Sequence, residues 1–307
     1  MSATGKAFLN RRLTSNNLWL SQTLSDRLPT LDARELTYEV LPDEAAVGRA
    51  MFEELEQAAR NKSSDLVIVL LGGRGAQALH KMLGSLALTD AADDLLGRLQ
   101  VFTQDALAPL KMANSFSFVR DFERLLGEAF FKKVKSFTPM QTETDDLEGE
   151  LINYLDNLNA LGGIDIFFIG HGPEAEAASH LAYIKPGSGA TQTDVAGIIP
   201  ISSSILEHHI AKFKAGGSEV SPQDERECRR ASKILTLGPA AILNARRVVQ
   251  SIVDAKTSPA KRQSFRRVVE TRISADPETR AAQLDENPGL WVRLHPNVRS
   301  LILPDVL

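Results

Sequence analysis

Cysteine is almost missing from this chain. Cys228 is the only one in 307 residues, so an intramolecular disulfide framework and a thiolate-only metal site are both excluded, and a reducing compartment fits. Its setting, ERECRRA, is charged and helical, and the thiol reads as structural. Long apolar runs are missing too: nothing approaches the roughly 20 apolar residues of a membrane span. The stretch MSATGKAFLNRRLTSNNLWL has no apolar core followed by a small-residue cleavage site. No secretory signal and no membrane partner are therefore expected, and the expected location is cytoplasmic. A surplus of positive charge is also lacking. With 35 Lys and Arg against 39 Asp and Glu, the net charge is −4, which argues against nucleic acid as a main partner. The basic pairs Arg229-Arg230 and Arg246-Arg247, and the basic run at 261–267, read as solvated helix faces. The acidic stretch TETDDLEGE (142–150) lacks histidine and the fixed carboxylate spacing of a cation loop, so it reads as a solvated helix start. No metal and no cofactor is expected. Neither repeats nor a long linker break the chain.

What is present is an alternation of short apolar runs and amphipathic stretches, in a chain that is 43% apolar. Leu18, Leu20, Leu24 and Leu28 suggest one helix ending near Pro29, so residues 1–35 are expected to be a helical extension laid against a single domain, 36–307. Residues 36–41 have strand character. Pro42-Asp43 then opens a helix with Ala46, Val47, Ala50, Met51, Leu55 and Ala58 on one face. Residues 65–71 (DLVIVLL), 99–103 (LQVFT) and 164–169 (IDIFFI) read as strands buried on both faces. Further strands are expected at 197–201, 234–237 and 248–253, and two short ones around His295-Pro296. Helices are expected between them, including one at 205–213. On that helix the adjacent His208 and His209 point to different faces and read as surface residues. The pattern predicts one α/β domain with a doubly wound, mostly parallel sheet and helices on both faces.

In such a sheet, ligands bind at the carboxyl ends of the strands. Three of those ends carry informative residues. The strand at 65–71 runs into Gly72-Gly73-Arg74-Gly75 and then a helix. Glycines there let backbone N–H groups approach a phosphate at a helix start, although a merely tight strand-to-helix turn reads equally well. The spacing matches neither G-x-G-x-x-G nor the P-loop. The strand at 99–103 delivers Gln104-Asp105, a site acid or a turn cap. The third end, within 163–188 (GIDIFFIGHGPEAEAASHLAYIKPGS), holds a glycine turn and then His180. The chemistry is expected there.

Taken in order, these pieces resemble the glucosamine-6-phosphate isomerase (deaminase) and 6-phosphogluconolactonase family, from about Leu36 to the carboxyl terminus. The family's S/T-G-G-T/S-P turn is matched by Leu71-Gly72-Gly73-Arg74-Gly75. Its Asp-Glu at a strand end is matched by Asp105, with Ala106 in place of the acid. Its G-G-I-D, G-x-G and later Pro-Gly-Ser landmarks are matched by Gly162-Gly163-Ile164-Asp165, Gly170-His171-Gly172 and Pro186-Gly187-Ser188, with His180 six residues before the proline. Leu237-Gly238, Asn244-Ala245-Arg246 and Leu294-His295-Pro296 are similar to the later landmarks. Departures are about four extra residues after Gly172, Ala178 before the histidine motif, and Lys185 in place of the deaminase glutamate.

The resemblance implies a Rossmann-type sugar-phosphate isomerase-like fold and a small phosphorylated sugar as partner, and it is compatible with a homo-oligomer. It implies Asp105 as the base that moves a proton between C2 and C1, and His180 as the ring-opening group, with Glu174 or Glu176 as its carboxylate. Gly72, Gly73, Arg74, Gly75 and Lys185 would meet the phosphate. Arg74 and Lys185 add charge that suits a ligand more anionic than a sugar monophosphate. Three activities follow: isomerase or deaminase, sugar-phosphate lactonase, or a catalytically silent sugar-phosphate sensor.

Overall fold

The computed structural model describes residues 8–14, 16–23, 31–174 and 177–307. The chain begins with a hairpin, β1 (Phe8–Thr14) and β2 (Asn17–Thr23), followed by β3 (Tyr38–Val40), α1 (Glu44–Asn61) and β4 (Leu66–Leu70). Next come α2 (Gln77–Ala87), α3 (Asp93–Leu96), β5 (Leu99–Thr103), β6 (Asp105–Ala108), α4 (Phe118–Lys133), β7 (Ser136–Thr138), α5 (Leu147–Ala160) and β8 (Ile166–Ile169). The remainder is β9 (Gly172–Pro173), β10 (Ser179–His180), β11 (Asp194–Pro200), α6 (Ser203–Ala215), α7 (Pro222–Cys228), β12 (Lys233–Leu237), α8 (Pro239–Leu243), β13 (Arg247–Ile252), α9 (Ala260–Glu270), α10 (Pro277–Glu286) and β14 (Val298–Ile302). Among the described residues, no helix is long and apolar enough to cross a membrane.

The main sheet has seven strands in the order β3-β14-β13-β8-β4-β5-β7, and every neighbouring pair is parallel. All residues of β4, β5 and β8 are buried, as the continuous apolar runs require of strands covered on both faces. Asp43 caps α1 by accepting the Ala46 N–H at 2.7 Å, and Val47, Ala50, Met51 and Leu55 face inward. After β4 the chain winds outward through β5 and β7. It then returns to β8 on the other side of β4 and winds outward again to β13 and β14. The order therefore reverses between β4 and β8, the topological switch point where a ligand crevice forms.

A second sheet went unseen in the sequence. Five antiparallel strands pair in the order β1-β2-β11-β12-β6, so the runs at 197–201 and 234–237 are strands of this sheet and not of the parallel one. The expected amino-terminal helix is overturned over residues 8–14 and 17–23, which are strands; its remainder, with Leu24, Leu28 and Pro29, lies outside the described residues. The pattern has a period of two. Leu20 and Trp19 point to opposite faces and both are fully buried, because Trp19 lies on Gly197, where a Cβ would come within 2.5 Å of its ring. The Trp19 indole N–H donates to the Ser188 carbonyl at 2.9 Å, and the Arg12 and Ser21 side chains bind the buried Asp194. The hairpin is thus an edge of the fold itself.

At the other end, only the second of the two strands expected around His295-Pro296 forms, as β14. The first is a 3-10 turn, Pro288–Leu294. Pro288 starts it, and Gly289 seats it on Ser179, whose Oγ a Cβ would approach within 2.1 Å.

Candidate active site

A cavity of about 650 Å³, counting its open mouth, lies at the switch point and takes its walls from the segments leaving β4, β5 and β8 and from α6 and α9.

The segment after β4 supplies Gly72, Gly73, Arg74 and Gly75. Glycine is required at 72 because a Cβ would fall 1.9 Å from the Phe118 ring, and at 73 because φ is +71°. The Gly73 N–H is already directed to Asp121, a buried carboxyl whose protonation burial favours despite Arg124 beside it. Ser251 Oγ donates to the Gly75 carbonyl at 2.7 Å and pins the turn to β13. Arg74 lines the cavity but is ion-paired with Glu44 at the start of α1, so its charge is largely spent within the fold.

Asp105 opens β6, at the point where the chain passes from one sheet to the other. It is 3% exposed. Burial raises its pKa to about 7, against the opposing hydrogen bond from the Gln104 amide. Near neutral pH it exchanges a proton readily, as a proton-transfer base must.

After Gly172, β9 pairs with β10, setting His180 opposite Gly172, and the Glu174 N–H donates to the Ala178 carbonyl at 2.7 Å. This pairing brings Glu174 to His180, whose Nδ1 donates to Glu174 Oε1 at 3.1 Å. Ser204 Oγ, in the first turn of α6, donates to the other carboxylate oxygen at 2.5 Å. Burial alone would raise the Glu174 pKa, but the bond from His180, its charge, Ser204 and Lys185 together hold it below the ordinary value. With Nδ1 spoken for, Nε2 is the free nitrogen of His180. Glu176 lies outside the described residues.

Lys185 does not join this cavity. It lies in a neighbouring cleft with Glu174, Arg267 and Glu286. Ala182 and Tyr183, both with left-handed backbone (φ 48° and 54°), reverse the chain just before it, and a bridge between Leu181 and Ile184 closes the reversal. Its placement at the phosphate is thereby corrected, and with Arg74 neutralised the case for a ligand more anionic than a sugar monophosphate loses both its cations.

The cations of the cavity come from residues the sequence reading passed over. Lys212 of α6 and Lys261 of α9 both line it and share one carboxylate, Asp254, at 2.5 and 2.6 Å. Asp254 has φ +63° and is 5% exposed. Two lysines on one aspartate leave one buried positive charge facing the cavity. The reading of 261–267 as a solvated face fails at Lys261, which is 6% exposed. Its spacing was the signal, since Lys261, Phe265 and Val268 share the inner side of α9.

His208 and His209 are not surface residues either; both line the cavity. Ile205, His209 and Lys212 form the buried stripe of α6, and the cavity wall is wide enough to take the neighbouring position as well. His209 bridges two elements, with Nε2 donating to the Phe116 carbonyl at 2.8 Å and Nδ1 accepting from the Tyr183 hydroxyl at 3.0 Å. His171 bonds Ser264 Oγ at 2.7 Å. Burial lowers the pKa of His171 to about 3, of His208 to about 2 and of His209 to about 4, so these rings are neutral. Among the described residues no three His, Cys, Asp or Glu side chains are grouped to hold a metal. The cavity therefore combines an anion-attracting end, Lys212 and Lys261 beside the glycine turn, with a carboxyl poised near neutrality and a carboxylate-supported imidazole.

No family model and no curated protein sequence matches this chain. Solved structures do match. One is a monomeric glucosamine-6-phosphate deaminase of the NagB superfamily, with TM-score 0.67 and 19% identity over 88% of this chain and 98% of that one. Another is 6-phosphogluconolactonase from Trypanosoma brucei, with TM-score 0.62 and 17% identity over 89% of this chain and 98% of that one. The Trypanosoma cruzi 6-phosphogluconolactonase gives 0.61 and 14% over 89% and 97%. This chain has the fold of those enzymes, an α/β fold on a mostly parallel sheet; at such identities the likeness speaks to fold alone.

Proposed function

We propose that this chain is an enzyme acting on a phosphorylated hexose or amino sugar by proton transfer, of the isomerase or deaminase type. The observation that carries the reading is the convergence of Asp105, the His180–Glu174 pair and the Lys212–Lys261 pair on one cavity at the switch point. The fold shared with a glucosamine-6-phosphate deaminase supports it.

Lys212, Lys261 and the turn at residues 72–75 would hold the phosphate, placing the sugar across the cavity. His180, protonated and steadied by Glu174, would give its Nε2 proton to the ring oxygen as the C1–O bond opens, while the 1-hydroxyl becomes the carbonyl and loses its proton to solvent. Asp105, ionised, would then take the proton from C2 and return it to C1. Two acid-base groups with different surroundings are what such a sequence of transfers needs.

A second reading is hydrolysis of a sugar-phosphate lactone. It is favoured by the free Nε2 of His180, which Glu174 makes a competent base for water, and by the 6-phosphogluconolactonase neighbours. A panel of hexose 6-phosphates, amino sugar phosphates and phosphogluconolactone, tested for turnover and thermal stabilisation, separates the readings. Proton-transfer turnover supports the first and lactone hydrolysis the second. Stabilisation without turnover identifies a silent sensor, and no response to any compound sinks the sugar-phosphate assignment.

A further inference from the structure

His208 stands apart from the other imidazoles of the cavity. His180 is held by Glu174, His171 by Ser264, and His209 by both Tyr183 and Phe116. His208 lines the same cavity and makes no hydrogen bond to any described residue. It lies one helical turn before Lys212 on α6, and its ring centroid is 6.2 Å from that of His180 at a near-perpendicular angle. A partly buried ring left without a protein partner beside two anchored groups, on the wall of the cavity, is positioned to meet whatever fills it.

We propose that His208 is a specificity-determining residue: its free ring edge meets an uncharged oxygen substituent of the sugar and offers a protonated amine at that place no counter-charge. This deepens the sugar-phosphate reading and rests on it.

The charged and titratable groups around His208 are His180, Lys261, Lys212 and Asp254, and burial with the neighbouring cations keeps its ring neutral. A neutral imidazole offers one N–H donor and one acceptor, which suits a hydroxyl or carbonyl oxygen. An ammonium group in the same place would meet a neutral ring and no carboxylate of its own, with the phosphate engaging the two lysines. The carboxylate between them, Asp254, is already shared by both, and Asp105 is partly protonated near neutral pH. The cavity thus has the charge pattern for a hydroxy or oxo sugar phosphate and against its amino counterpart.

The test is calorimetric binding of glucose 6-phosphate, glucosamine 6-phosphate and inorganic phosphate, at a pH below that of sugar-amine deprotonation. Wild-type protein is expected to bind glucose 6-phosphate at least about tenfold more tightly than glucosamine 6-phosphate. His208→Glu, which puts a carboxylate opposite the amine, should close or invert that ratio. His208→Leu should weaken glucose 6-phosphate by about tenfold and leave inorganic phosphate unchanged. Equal binding of the two sugars by wild-type protein, or a ratio that neither variant moves, overturns this proposal alone. Binding of inorganic phosphate without either sugar, or of nothing, overturns the sugar-phosphate reading and this proposal with it. The wild-type ratio decides the matter even where a variant fails to fold.

Discussion

The imidazole of His180 lies directly against the backbone of Gly172: a Cβ at residue 172 would sit 1.8 Å from Nε2 and 2.0 Å from Cε1. Close approach, and not an unusual backbone angle, is what demands glycine here. Gly172→Ala should therefore push the ring off its contact with Glu174 while leaving the two sheets intact. The expected result is a loss of about 100-fold in kcat on whichever sugar phosphate is turned over, with an unchanged circular dichroism spectrum. Full activity in this variant would remove His180 from the chemistry.

Asp105 sets the pH dependence. Burial raises its pKa to about 7, and a base works only when ionised, so kcat/KM should climb about tenfold per pH unit on the acid side and level off above about 7. The Gln104 amide hydrogen-bonds the carboxyl and favours the charged form. Gln104→Leu should consequently move this limb to higher pH, and Asp105→Asn should abolish proton transfer at every pH.

Stability should also fall on the acid side, for a different reason. His80, His171, His208 and His209 have pKa values lowered by burial to about 3, 3, 2 and 4. Below the ordinary histidine value of about 6.5 the unfolded chain takes up protons that the folded chain refuses, so stability is full above that value and falls as pH drops through it. Asp105 and Asp121 work the other way, gaining a proton in the folded state first, but these two carboxyls oppose five imidazoles, since burial lowers His295 as well. Urea midpoints measured at neutral and mildly acid pH should fall accordingly. His80 offers the cleanest dissection: fully buried against Phe122, it has no partner on either ring nitrogen. His80→Leu should stabilise the protein by about 1 kcal/mol and flatten the acid slope.

How much of this was legible in the sequence depends on which interactions are local. The runs that became β4, β5 and β8 were readable because strands covered on both faces are apolar throughout. The glycines at 72 and 73 and the acid at 105 were readable because strand ends in such sheets form the crevice. The antiparallel sheet was not: β2 pairs with β11, and β12 with β6, and nothing near residue 19 announces that Trp19 will meet Gly197. His209 and Lys261 were misplaced outward because polarity was weighed above helical spacing. Lys185 was misplaced inward because the reversal at Ala182 and Tyr183 puts non-glycine residues in the left-handed region, which sequence statistics disfavour.

The same distinction separates motif residues that hold the fold from those that meet the ligand. Asp165 and Arg246, which carry the Gly-Gly-Ile-Asp and Asn-Ala-Arg landmarks, form an ion pair where β8 and β13 begin, at the opposite end of the sheet from the cavity. Asp165 is 5% exposed and also accepts the Val67 N–H at 2.8 Å and Lys62 Nζ at 2.7 Å, tying β4, β8 and β13 together at their amino ends. Asp165→Ala leaves two cations and a buried N–H without their acceptor and should cost about 3 kcal/mol of stability, seen as a lower urea midpoint, with KM and the pH profile unchanged. Lys261→Gln should do the converse. Asp254 keeps Lys212 as a partner, so the fold survives, while the thermal stabilisation expected of the wild-type protein with phosphate is lost. A KM shift in the Asp165 variant equal to that of the Lys261 variant would mean that the two ends of the sheet are coupled.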